Sequence, residues 1–254
     1  MHLTALQTNI VWEQFEENAL RVRGMLETNP VPPGALVVLP ELFGTGFSMQ
    51  AHLSAAEPGV QAAQFIGELA AESRCWVVGG LARKLEDGTY ANAAVLVGPD
   101  GAEVADYRKR HLFPLANEEG AFAAGTSACV CERPDLKLSL HICYDLRFPE
   151  DFREAAARGA ELMVVIANWP AQRHDHWIAL LTARAIENQA FVLGVNRCGN
   201  DPHQDYAGGT RLIGPWGETV AALDDRPGIL SAILDLQRLR AYRRDFPVLK
   251  TLHA

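Results

Sequence analysis

The chain has 254 residues, 48% of them hydrophobic and 21% charged, with a formal net charge of −8. Such a composition can bury a sizeable core and is unlike that of a disordered chain. The acidic balance excludes general binding to nucleic acid or to anionic membranes. The opening MHLTALQTNIVWEQ has no basic start leading into an apolar run, and the longest apolar runs, such as LMVVIANW, are too short to span a bilayer. A cytoplasmic protein is expected.

Strand-like and helix-like segments alternate along the chain. ALVVLP (35–40) reads as a buried strand, and VQAAQFIGELAAES (60–73) as a helix with Phe65, Ile66, Leu69 and Ala70 on one stripe. Two further strands follow, CWVVGGLA (75–82) and NAAVLVG (92–98). At 138–142 an alternating strand, with Leu138, Leu140 and Ile142 on one face, runs into Cys143. EDFREAAARG (150–159) begins acidic and ends Arg-Gly, as helix termini prefer. ELMVVIAN (161–168) and AFVLGVN (190–196) are strands on either side of a helix at 174–190, whose apolar side carries Trp177, Leu180, Leu181 and Ile186. With no linker, low-complexity segment or repeat, residues 1–254 read as one α/β domain whose strands are mostly covered on both faces.

Five cysteines (75, 129, 131, 143 and 198) form no CxxC and suggest no disulfide framework. Cys129 and Cys131 have no neighbouring histidine to complete a zinc site, and the HDH at 174–176 reads as a solvated helix start. No glycine-rich nucleotide loop occurs. Neither metal nor cofactor is expected.

In open α/β sheets ligands bind beyond the carboxyl ends of strands. Three such ends carry reactive or polar groups: Glu41 in LPELFGTGFS, Cys143 in HICYDLRF, and Asn168 with Trp169 in VVIANWP. Lys109 lies in DYRKRHLFPLANEE, which reads as a loop. A cysteine–histidine hydrolase would instead recruit His111 or His141, the latter two residues before Cys143 and so on its face of the strand. Spacing alone cannot join residues so far apart in sequence.

PELFGTGFS, YRKRHLF and HICYDLRFPE, taken in this order, resemble the nitrilase superfamily of carbon–nitrogen hydrolases with its Glu–Lys–Cys triad. The likeness runs from the opening LTALQTN strand to IGPWGE, and KRHLFPLANEE with ANWPAQRHDHWIALLTARAIENQ resembles the omega-amidase branch. It implies an α-β-β-α sandwich, two mixed sheets between helix layers, associating as a homodimer or higher homo-oligomer. Carried over by position, the catalytic residues are Glu41, Lys109 and Cys143, with a fourth carboxylate on Glu118 beside Glu119. Thr210 stands where serine is expected and keeps the hydroxyl.

The implied reaction is hydrolysis of the ω-carboxamide of a 2-oxo dicarboxylate monoamide, 2-oxoglutaramate or 2-oxosuccinamate. Glu41 takes the thiol proton, Cys143 attacks, and Lys109 with the backbone N–H of Tyr144 faces the oxyanion. Glu118 orients Lys109 or substrate. Asn168, Trp169 and Arg173 are assigned with Tyr144 to substrate binding, Arg173 holding the distal carboxylate. Arg147 is read as structural, paired with a local acid. Two alternatives stand beside this reading: another small amide such as deaminated glutathione or an aliphatic amide, and a non-catalytic binding protein of the same fold.

Overall fold

Strands that are apolar at every position need cover on both faces. The computed structural model, which describes residues 1–253, supplies it with two sheets packed between two helix layers. In chain order the first half runs β1 (His2–Gln7), α1 (Phe15–Thr28), β2 (Leu36–Val38), α2 (Ala51–Ser54), α3 (Glu57–Ser73), β3 (Trp76–Lys84), β4 (Tyr90–Val97) and β5 (Glu103–Arg108). It continues with β6 (Cys129–Glu132), β7 (Lys137–Ile142), α4 (Pro149–Ala157), β8 (Leu162–Ala167), α5 (His174–Asn188) and β9 (Phe191–Asn196). The remainder adds β10 (Cys198–Asn200), β11 (Asp205–Ala207), β12 (Arg211–Ile213), β13 (Thr219–Ala222), β14 (Gly228–Ile233) and α6 (Leu236–Asp245).

One six-stranded sheet has the order β14-β1-β2-β3-β4-β5 and the other β13-β12-β9-β8-β7-β6; β10 and β11 pair separately. β1, β2 and β3 are parallel, as are β7, β8 and β9, and the flanking strands in each sheet are antiparallel. Strand periodicity explains the layering. Leu36 and Val38 point towards the second sheet, whereas Val37 and Leu39 pack with Phe65, Ile66, Leu69 and Ala70 of α3. The second sheet is covered on its outer side by α4 and α5 through Phe152, Trp177 and Leu181.

Three local expectations change. Tyr107 and Arg108 belong to β5, so Lys109 stands just past a strand end and not within a long loop. On β7, Ser139 and His141 are as buried as Leu138 and Leu140, because α4 covers the face that alternation had suggested was wetter. Ile186 is 51% exposed. The buried stripe of α5 is Trp177, Leu181, Arg184, Ala185 and Asn188, and Ile186 falls one residue beyond it, beside the turn at Gly217. Leu180 is half-buried.

Candidate active site

The parallel strands of the two sheets bring several polar groups to one end of the sandwich. Glu41 follows β2 in a tight turn, and Gly80 of β3 passes so close that a Cβ there would lie 2.6 Å from the Glu41 Cα. Glycine is required at that crossing. Lys109 follows β5, and its ammonium donates to Glu41 Oε1 (3.1 Å) and to both oxygens of Glu118 (2.9 and 2.8 Å). All three side chains have 0% exposure, so their charges stand only because they are paired and hydrogen-bonded. Burial alone would favour a neutral amine at Lys109. The carboxylates of Glu118 and Glu41 outweigh it and hold the ammonium above its ordinary range.

Glu118 also accepts from the Phe113 N–H at 2.7 Å, whereas its neighbour Glu119 is exposed. Asn92, on β4, completes the cluster by donating to Glu41 Oε1 (2.7 Å) and Glu118 Oε1 (2.9 Å). The sequence reading missed this residue. The available signal was a lone amide in the otherwise apolar, fully buried run of β4.

Cys143 ends β7 on a sharp turn with φ at +47°, a left-handed conformation that is uncommon outside glycine and concentrates at functional positions. Asp145 secures this turn: its carboxylate accepts from the N–H groups of Ile142 and His111 (both 2.9 Å) and from the Tyr107 hydroxyl (2.7 Å). Burial pushes the Asp145 carboxyl up to about 6, against those hydrogen bonds. The Cys143 thiol donates to the Asn168 carbonyl at 3.8 Å. Burial, and then the charge of Glu41, hold its proton on well above the usual thiol range, with Lys109 opposing.

Asn168 links the two sheets. Its backbone N–H donates to Glu41 Oε2 at 2.6 Å and its amide to the Glu41 carbonyl at 2.8 Å, while its own carbonyl accepts from Cys143. The next residue, Trp169, is fixed by Asn196, whose Oδ1 accepts from its N–H, and Thr210 in turn bonds the Asn196 backbone.

A cavity of about 570 Å³ opens over Cys143, with Phe47, Tyr144, Trp169, Arg147 and Arg173 in its wall. The Arg173 guanidinium lies 5.7 Å from the Phe113 ring centre, and its carbonyl accepts from the Trp169 indole at 2.7 Å. Arg147 departs from expectation. Among the described residues no acid lies within ion-pair distance of it; its guanidinium rests 4.9 Å from Trp169 and 5.9 Å from Tyr144, and it donates to His176 at 3.3 Å. The local acids are already engaged, Asp145 at the Cys143 turn and Asp151 by Arg110 and His111.

The two histidines that could have replaced Glu41 are occupied elsewhere. His141 does not share a face with Cys143 as strand alternation suggested, because the turn breaks the alternation: its ring stacks on Phe152 of α4 and bonds Ser139 at 2.9 Å. Burial lowers it to about 3. His111 stacks on Phe148 and pairs with Asp151. Among the described residues one trio, His111, Asp145 and Asp151, is close enough to share an ion, and each member already has protein partners. The thiols of Cys129 and Cys131 lie 3.9 Å apart on β6. No helix among the described residues is long and apolar enough to cross a membrane.

The sequence matches the family described as carbon-nitrogen hydrolase over residues 2–244. It is 35% identical over 248 residues to a 2-oxoglutaramate amidase of Bacillus subtilis, covering 97% of this chain and 95% of that one. It is 38% identical over 250 residues to the omega-amidase YafV of Escherichia coli K12, with 97% and 94% covered. Among solved structures, a CN-hydrolase superfamily protein of Xanthomonas campestris with an arsenic adduct in its active site superposes with a TM-score of 0.90. That protein is 30% identical, with 99% of this chain and 96% of the other covered.

Proposed function

The chain belongs to the carbon–nitrogen hydrolase family and is a hydrolase of carbon–nitrogen bonds, and from that premise we propose that it cleaves the ω-carboxamide of 2-oxoglutaramate and 2-oxosuccinamate through a thioester on Cys143. The observation that carries the reading is the cavity itself: a thiol in its lining, a buried carboxylate–ammonium cluster behind it, and two arginines in its wall with no acid in ion-pair reach among the described residues. A desolvated substrate carboxylate demands such a cation.

Glu41 removes the proton as the sulfur attacks the amide carbon, so the thiolate exists only as the bond forms. The oxygen of the tetrahedral adduct takes one hydrogen of Lys109, which can release one of its two bonds to Glu118, and the N–H of Tyr144. Asn168, in the cavity wall, holds the base in place through its N–H and its side-chain amide. Glu41 returns the proton to the leaving ammonia, and then activates the water that hydrolyses the thioester. Glu118 keeps Lys109 charged and in place. Arg173 holds the distal carboxylate.

We assign the enzyme to the cytoplasm, which its five free thiols support. A homodimer is supported by exposed or partly exposed apolar side chains near one another, Ile186 of α5, Trp216 in the β12–β13 turn, Tyr242 of α6 and Phe246 just past it.

Ammonia release from a panel of amides tests the substrate. The highest kcat/KM should fall on the two 2-oxo monoamides, above deaminated glutathione and uncharged aliphatic amides. A preference for an uncharged amide would overturn the substrate class while leaving the thioester chemistry standing.

A further inference from the structure

We infer that Asn92 is a positioning residue of the hydrolytic site, holding the carboxylates of Glu41 and Glu118 in register on a single amide nitrogen. The inference rests on the reading of Glu41 as base and Cys143 as nucleophile. Two anions share one ammonium in this cluster, and all three are fully buried. Lys109 neutralises one charge; the second needs other donors. Asn92 supplies two of them, so that Lys109, Glu41, Asn92 and Glu118 close a ring through Glu41 Oε1 and Glu118 Oε1.

The orientation of the Asn92 amide is dictated by its neighbours. Ionised carboxylates only accept, so the NH2 group must face them. Its Oδ1 is left buried without a partner, and an unmade hydrogen bond of that kind is tolerated where the other half of the amide has a task. The backbone ties the same residue to the cluster: the Asn92 carbonyl accepts from the Lys109 N–H at 2.9 Å. The Asn92 NH2 is spent on Glu41 and Glu118, so the residue acts through its neighbours, not on the substrate.

A donor to a carboxylate favours its ionised form. Asn92→Ala removes both N–H donors from the pair. The ionisable groups facing that pair are Lys109 and Cys143, with Tyr206 further off, and Asn92 itself does not titrate. The acid limb of the kcat/KM profile reports the base in the free enzyme. In Asn92→Ala it should move up by about one pH unit, the scale of a lost hydrogen bond to a charged group. At neutral pH kcat should fall about tenfold or more, with KM within about twofold.

Asn92→Ser retains one donor and should lie between wild type and alanine in both limb and rate. An acid limb unmoved in the alanine variant overturns the inference, whatever the rate, because a merely structural residue would slow turnover without shifting it. Should the alanine variant fail to fold, an unmoved limb in Asn92→Ser overturns it equally. A Glu41→Gln enzyme with near-normal turnover breaks the underlying reading instead, which keeps the two failures distinct.

Discussion

The two sheets share a plan, three parallel strands with antiparallel neighbours, yet they furnish the site unequally. The first sheet contributes Glu41, Asn92 and Lys109, so that with Glu118 from the segment after β5 it carries all the charge of the cluster and most of the hydrogen bonds stabilising it. The second contributes Cys143, Asn168 and the arginines, so that the proposed nucleophile and substrate contacts come from β7, β8 and the turns after them. A buried carboxylate–ammonium cluster is best held on one rigid body, because any shift between its members exposes an uncompensated charge. The thiol is neutral at rest and tolerates assembly across the sheet interface. Asn168 is the joint, with its N–H on Glu41 and its carbonyl on Cys143.

Breaking each half in turn sharpens this contrast. Cys143→Ala should have the largest effect, lowering ammonia release by several powers of ten with little change in melting temperature, since it removes the proposed nucleophile but no paired charge. Retention of more than about a hundredth of wild-type activity would contradict the covalent route. Lys109→Met and Glu41→Gln should each lower kcat about a hundredfold or more. Lys109→Met should also lower the melting temperature, because it leaves the buried carboxylates of Glu41 and Glu118 without their cation; Glu41→Gln leaves Lys109 paired with Glu118 and should lower it less, and the second sheet's variants should not lower it. Thermal unfolding alongside steady-state rates checks both halves of that statement.

The substrate contacts come next. Arg173→Met should raise KM for 2-oxoglutaramate about thirtyfold, the scale of a lost charged hydrogen bond of about 2 kcal/mol, and leave an uncharged aliphatic amide almost unchanged. Arg147→Met, measured side by side, decides which of the two guanidiniums carries the carboxylate. Equal losses on charged and uncharged amides would make Arg173 a support of the fold.

The smallest effect concerns the resting thiol. Burial and the charge of Glu41 hold Cys143 protonated, so its folded-state proton affinity exceeds that of an ordinary thiol of about 8.5. Alkylation by iodoacetamide should therefore be slow at neutral pH and still rising above about pH 9. A plateau below about pH 8 would mean that the thiolate is preformed.

Much of this was legible in the chain because burial leaves a periodic trace. The uninterrupted apolar runs at 36–38, 162–167 and 191–195 are strands covered on both sides, and the candidate reactive groups stand just past strand ends. What stayed hidden depends on tertiary contact. Nothing local distinguishes Glu118 from Glu119; only folding turns one onto Lys109 and the other to solvent. Arg147 sits among acids in sequence, and those acids find other partners in space. The alternation that assigned His141 to the face of Cys143 fails because the chain leaves extended geometry at the cysteine itself.

The central claim is that a carboxamide carbon is transferred to the Cys143 sulfur. Mixing the enzyme with 2-oxoglutaramate, quenching in acid within a turnover and digesting should leave the 2-oxoglutaryl mass on the peptide containing Cys143, and on no other cysteine peptide. Turnover that releases ammonia while every cysteine peptide keeps its unmodified mass, under quench conditions in which a model thioester survives, would contradict it.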